Sequence, residues 1–363
     1  MAAVTPLFAV SRALHVPWYG LVKLYPILAD ALIAALIYLT LRRSTGVPQK
    51  ALWGGLFYAL NPVSIAITSV HGNYIAVPTS LLFLSAYLLH YGRARWAPGV
   101  SALACGFAIM TKTWPLLFLP LLLARVRTWG QRGLYLALTA VFPLLLVLSL
   151  YFRPDGGTVV ARCLAYQSIP GWWGFTGLWH AWDAAWVRDV AAFYADQGSK
   201  VLACVLIALY LMRLSRRSAK EAPGDDFFAG FVLVGLTLLV FAQGFGPQYL
   251  VWVLPFAVVA RDRWVYVYAI FATLLFVVEY GFRPFTGGIG YTLREIPSSA
   301  TSPQYFPPLS PQQRVDDNHL TNLLRLPVWL FLGAWLVRRA WPWERRRKTE
   351  EPEQRGPRPK RGG

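Results

Sequence analysis

The sequence predicts an all-helical protein, a polytopic integral membrane bundle of about eleven transmembrane helices. Three observations predict it. Hydrophobic residues make up 56% of the 363 residues and charged ones only 14%, where soluble chains carry about 25% charged residues. The apolar residues are gathered into runs approaching the ~20 residues that cross a bilayer core. The basic residues, about two thirds of the 35 Lys and Arg, fall in every second gap between those runs and in the C-terminal tail, which is the pattern that keeps positive loops cytoplasmic. The net charge of +18 therefore reads as a topology signal and not as a nucleic-acid surface.

In order along the chain, the expected spans are 24–41, 51–69, 74–91, 97–111, 114–125, 132–152, 198–214, 227–243, 247–260, 264–281 and 323–340. The first carries one acid, Asp30. The second is interrupted by Asn61-Pro62, because proline removes a backbone donor and restricts the residue before it. Gly72 permits the tight turn into the third span. The segments 114–125 and 247–260 are short and need shielding by neighbours. The sixth, seventh and eighth spans are bounded by the basic loops at 125–132 and 213–220. Arg261 and Arg263 separate the ninth from the tenth, and a loop of about forty residues, long for a structureless connection, precedes the last. Residues 1–341 are expected to form the membrane domain. Residues 342–363, rich in Pro, Gly and charge, are expected to be a disordered cytoplasmic tail that contacts anionic lipid.

Placing the basic gaps inside makes the protein a multi-pass protein of the cell (plasma) membrane with a cytoplasmic C-terminus. The polar clusters "HGNY" (71–74), "TKTW" (111–114) and "GPQY" (246–249), and the loops 153–191 and 281–322, then share the outer face. An odd span count with an inside C-terminus puts Met1 outside, and no basic stretch precedes an apolar core there as in a signal peptide. Cys105, Cys163 and Cys204 have neither metal-ligand spacing nor a disulfide framework.

Each polar residue has two readings. Asp30 lies inside a span, where a charge costs about 2.5–3.5 kcal/mol and is usually functional; it also suits a local pair or a cap. His71, Asn73 and Tyr74 line a site or simply make a turn. Lys112 meets a phosphate as a point charge, or snorkels to the headgroups. Gln248 and Tyr249 orient a ligand or bridge helices. The aromatic loop "YQSIPGWWGFTGLWHAW" (166–182) is an interfacial belt or a stacking surface. Arg283, Arg294, Glu295, Asp316, Asp317 and His319 are titratable or charged members of the last loop. The "GGIG" there follows no strand, so it is not a nucleotide fingerprint.

The ordered set "KLYPILADALIAALIYL" (23–39), "ALNPVSIAITSVHGNYIAVPTSLLFLSAYLL" (59–89), "CGFAIMTKTWPLLFLPLLL" (105–123), "SIPGWWGFTGL" (168–178) and "GPQYLVWVLPF" (246–256) resembles the GT-C superfamily of polytopic glycosyltransferases. The resemblance is nearest to glycosyltransferase family 87 and to the GPI mannosyltransferase that adds the first mannose. It implies a polyprenyl-phosphate sugar donor, mannose by preference, and a glycolipid or glycan acceptor at the outer face. It implies no nucleotide or other resident cofactor; a first-loop acid could use a divalent ion, for which no ligand set is visible. Lys112 with Arg283 or Arg294 would hold phosphate, and His71, Asn73, Gln248 and Tyr249 would line the cavity. The family's catalytic acid belongs to a first outer loop after a first helix, and neither is matched here. One N-terminal helix is therefore expected to be missing, which leaves Asp30 as the weak candidate for the base. The rival readings are a transporter or flippase of a lipid-linked substrate, against which no internal repeat is seen, and a non-catalytic polyprenyl-phosphate-binding paralogue.

This topology predicts that a fluorescent protein fused after Gly363 will mature in the cytoplasm and an alkaline phosphatase fused there will be inactive. The reverse result overturns the orientation.

Overall fold

The computed structural model describes residues 12–13, 15, 18–70, 72–164, 173–181, 184–217, 225–242, 244, 246–281 and 311–340. Among them the fold is helical throughout. The helices are α1 (Trp18–Thr45), α2 (Pro48–Ala59), α3 (Pro62–Ile65), α4 (Ala76–Tyr91), α5 (Ala97–Thr111), α6 (Leu119–Leu123), α7 (Trp129–Tyr151), α8 (Gly156–Leu164), α9 (Gly174–Ala181), α10 (Ala185–Arg217), α11 (Asp225–Phe241), α12 (Leu254–Val259), α13 (Trp264–Gly281) and α14 (Pro311–Ala340). A π turn (Ala66–Val70) extends α3, and single 3₁₀ segments (Trp114–Phe118 and Pro247–Val251) precede α6 and α12.

Every expected apolar run is helical where described, but among the described residues three helices are long and apolar enough to cross a membrane by themselves: 20–45, 129–151 and 185–211. A fourth crossing results if the pair α2 and α3, bent by 43°, is counted as one. The other apolar helices are shorter. The side chains explain why such a bundle fits lipid. On α1, Ala29, Ile33, Leu36, Ile37 and Leu41 make a buried stripe at helical period, while Leu24, Leu28, Leu32 and Leu39 are exposed on the other faces. α7 exposes Leu134, Leu136 and Leu144–Leu148. A helix apolar all round needs an apolar surrounding.

Three expectations are corrected. The seventh span, read as 198–214, begins earlier, at Ala185; Arg188, Asp189 and Asp196 sit inside the helix, and Gly198 does not interrupt it. The loop 153–191 contains α8, α9 and the start of α10. The last loop, read as 281–322, is shorter than expected, since 311–322 belong to α14. Arg294 and most of that loop lie outside the described residues, as do residues 342–363.

The two ends of the bundle differ in chemistry. At the basic end, Arg43 donates to the Tyr91 carbonyl (3.1 Å) and lies over the Tyr87 ring, joining the C-termini of α1 and α4. Arg125 meets His90 there and lies 4.9 Å from the Phe227 ring centroid, bringing in α11. Asp262, buried between α12 and α13, accepts from Trp335 Nε1 (2.6 Å) and Arg339 Nε (2.5 Å) and faces Arg338 at 3.5 Å. Its other bond is from the Trp264 amide, 3.1 Å from Oδ1. The sequence hides this carboxylate among arginines in "RDR", and its partners are far along the chain.

At the opposite end, three aromatic donors close the C-terminus of α11. Trp173 Nε1 donates to Leu239 O (2.5 Å), Trp329 Nε1 to Val240 O (2.9 Å) and Tyr194 OH to Phe241 O (2.7 Å). The last carbonyls of a helix have no partner within it, so three other segments supply them. Gly174, with φ of +59°, allows the approach: a Cβ there would stand 3.2 Å from Trp329 Nε1.

Removing the Asp262 carboxylate leaves two arginines and an indole without their acceptor. Asp262→Ala is expected to cost about 3–5 kcal/mol of stability, visible as a large fall in Tm in detergent, whereas Arg338→Ala, at 3.5 Å and partly exposed, should cost far less.

Candidate functional site

Asp30 stands beside the buried stripe of α1 and is half-buried. Tyr58 OH donates to its Oδ1 at 2.6 Å, and Ser64 Oγ and Thr68 Oγ1 reach its Oδ2 at 2.5 and 3.2 Å. Ser64 and Thr68 are four residues apart, so α3 and its π turn present both on one face. Thr68 also bonds the Ser64 carbonyl (2.7 Å), an alternative acceptor for its hydroxyl proton. The bend between α2 and α3 brings Tyr58 and Ser64 to the same carboxylate. Asn61 makes that bend: its side chain caps α3 by accepting from the Val63 amide at 3.0 Å, while Pro62 takes a first-turn position. Three donors occupy most of the roughly four acceptor positions of a carboxylate. Asp30 thus clamps α1 to the bent pair.

Beyond the π turn the chain reverses. Asn73 N closes on Ile67 O at 3.0 Å, and Asn73 Oδ1 accepts from the Ile75 amide at 3.0 Å, closing the turn that leads into α4. Gly72 has φ of +71°, as the turn requires, and the methylenes of Lys23 lie over it: a Cβ there would be 3.2 Å from Lys23 Cγ and Cε. Lys112, at the C-terminal cap of α5, brings its Nζ to 5.3 Å from the Tyr74 ring centroid. Two residues on, Trp114 stacks on Trp252, centroids 4.6 Å apart and planes 23° off parallel. Tyr249 also stacks on Trp252, centroids 4.4 Å apart. Gln248 folds against Gly246, where any Cβ would collide with its amide.

Four of the expected site residues, Asn73, Lys112, Gln248 and Tyr249, therefore lie on the three turns that meet at this end of the bundle. Asp30 is not in direct contact with any of them. His71, Arg283 and Arg294 lie outside the described residues. Sequence reading missed Lys23, Trp114 and Trp252. It also missed the partners of Asp30, although Ser64 and Thr68 at helical spacing in an apolar run were a legible signal. Among the described residues no three His, Cys, Asp or Glu side chains converge as a metal site would require. The cluster can offer a cation at Lys112, amides at Asn73 and Gln248, and stacked aromatic rings.

No protein-family model matches the chain, and no curated protein or solved structure matches it either.

If Asp30 is a clamp, Asp30→Ala should cost about 3 kcal/mol by stranding hydroxyls that now bond a charged group, and Asp30→Asn, which keeps acceptor and donor atoms, much less. Thermal unfolding in detergent reads both. A stable Asp30→Ala protein would remove the clamp.

Proposed function

We propose that the protein is a membrane glycosyltransferase of the GT-C type, which transfers a hexose, mannose by preference, from a polyprenyl-phosphate donor to a glycolipid or glycan acceptor at the outer face. The observation that carries this reading is the meeting of Lys112, Asn73, Tyr74, Gln248 and Tyr249 from three separate turns at one end of an apolar bundle. A polyprenyl-phosphate sugar has three parts: an apolar tail, an anion and a polyhydroxylated ring. The bundle's apolar flanks suit the tail, the Lys112 ammonium suits the phosphate, and amides with aromatic faces suit the ring. On this reading Lys112 releases Tyr74 to stabilise the phosphate as the sugar leaves, where developing charge is best met by a fixed cation. The about eleven crossings and the cytoplasmic C-terminus belong to the same proposal.

A second reading has its own observation. The one carboxylate placed near this end by the expected site map, Asp30, is held by three hydroxyls. Transfer with inversion needs a base free to take the acceptor's proton. A chain without such a base would bind polyprenyl phosphate without turning it over.

The test uses the full chain in proteoliposomes with radiolabelled polyprenyl-phosphate mannose and a glycolipid acceptor extract. Lys112→Ala is expected to weaken donor use by about tenfold to a hundredfold, the loss of one charge-assisted contact. Binding of the donor without transfer supports the second reading. A wild-type protein that neither binds nor uses the donor overturns both.

A further inference from the structure

Indole nitrogens are donors only, and buried ones usually find an acceptor. This chain follows that rule where it builds structure: Trp173, Trp329 and Trp335 all donate, to Leu239 O, Val240 O and Asp262. Trp114 and Trp252 break it. They are 8% and 7% exposed, and the Nε1 of each is sealed from solvent with no hydrogen-bond partner among the described residues. The two exceptions stack on each other.

The geometry excludes an answer inside the stack. Each N–H bond lies in the plane of its own ring. With planes only 23° apart, neither indole can aim its hydrogen at the face of the other; both point outward at the rim. Phe118 meets Trp114 edge to face at 5.6 Å, and a ring face is a weak acceptor. Two desolvated donors on the edges of one stack thus stand without oxygen acceptors among the described residues.

The surroundings say which acceptors. Trp114 opens one 3₁₀ segment and Trp252 ends the other. Lys112 is two residues before Trp114, and Gln248 is four before Trp252. Lys112 is held by a ring contact with Tyr74, and Gln248 by its fold against Gly246. Both are long side chains with a polar end, carried on the same turns as the two indoles. A neutral indole donor beside aromatic faces suits the hydroxyl oxygens and C–H face of a sugar ring. A phosphate anion is drawn to the Lys112 cation instead.

We propose that the rim of the Trp114–Trp252 stack is the sugar-recognition element of the site, with the two indole N–H groups donating to ring hydroxyls while Lys112 holds the phosphate. This rests on the reading of the protein as one that binds a polyprenyl-phosphate sugar, and it names what discriminates the glycosylated lipid from the bare one.

The experiment measures the affinity of the full chain in nanodiscs for polyprenyl phosphate and for polyprenyl-phosphate mannose. Wild type should prefer the mannosylated lipid. Trp114→Phe and Trp252→Phe keep a ring in the stack and lose the donor, so each should cut that preference about tenfold, the worth of one hydrogen bond of about 1.4 kcal/mol. Should either variant unfold, benzothienylalanine at position 252, which keeps the bicyclic ring and removes only the N–H, makes the same measurement. Lys112→Ala should weaken both lipids and leave the preference. Variants that keep the wild-type preference overturn the proposal, and so do variants that weaken both lipids equally, which would make the rim part of the phosphate site. A wild-type protein that binds both lipids alike sinks sugar recognition while sparing the phosphate-lipid reading. One that binds neither sinks both.

Discussion

A helix that breaks inside an apolar surrounding leaves amides and carbonyls that lipid cannot satisfy, at several kcal/mol each. The arrangement of this bundle follows from answering those groups. Asn61 accepts from the Val63 amide at one break and Asn73 from the Ile75 amide at the next. Tyr268 donates to Leu250 O (2.7 Å) in the 3₁₀ segment before α12, and Tyr210 donates to Leu117 O in the one before α6. Trp173, Trp329 and Tyr194 take the last carbonyls of α11. The two asparagines answer locally, but the tyrosine and tryptophan donors come from other segments, so satisfying those carbonyls also fixes which helices are neighbours. The breaks concentrate polar atoms, and the polar end of the bundle is their sum.

Two carboxylates, the buried Asp262 and the half-buried Asp30, obey the same constraint by different means. Asp262 meets cations and an indole, and Asp30 meets three hydroxyls. Hydroxyls are neutral, so the Asp30 clamp gains no ion-pair energy, but it also demands no second buried charge, whose desolvation can exceed the Coulomb gain. The Asp262 cluster can use arginines because Arg338 and Arg339 remain a quarter exposed and keep part of their hydration.

The sequence made the coarse pattern legible because hydrophobic runs and their basic gaps are local signals. Arg42 and Arg43, the basic loops at 125–132 and 261–263, and Arg338 and Arg339 do gather at one end. The turn at Gly72 and the break at Asn61-Pro62 were legible because glycine and proline act on their own backbone. What stayed hidden was long-range or masked by polarity. Arg188, Asp189 and Asp196 made the start of α10 look like a loop, and the polar stretch after Pro311 did the same for α14. No periodicity in the chain announces that Trp114 will meet Trp252, or that Trp335 will reach Asp262. Those contacts depend on how the short broken helices dock.

Asp30, read from the sequence as a weak candidate base, and Lys112, read as a phosphate contact, separate on the strength of what holds them. Asp30 has two close hydrogen bonds to a charged group, from Tyr58 and Ser64, each worth about 1.5–3 kcal/mol, and moving it would strand both donors, while Thr68 keeps the Ser64 carbonyl as its acceptor. Lys112 has one cation–π contact at 5.3 Å with a half-exposed tyrosine, worth about 0.5–1 kcal/mol. A phosphate oxygen offers an ammonium more than that ring does, because a charge-assisted bond is about twice as strong as a neutral one. Exchange of Tyr74 for an anion is therefore downhill for Lys112, while no comparable exchange exists for Asp30. A group that can trade its partner suits ligand binding, and a group that cannot suits scaffold. On that physical ground the candidate site centres on the turns that carry Lys112, Asn73 and Gln248, next to the bent pair that the Asp30 clamp holds.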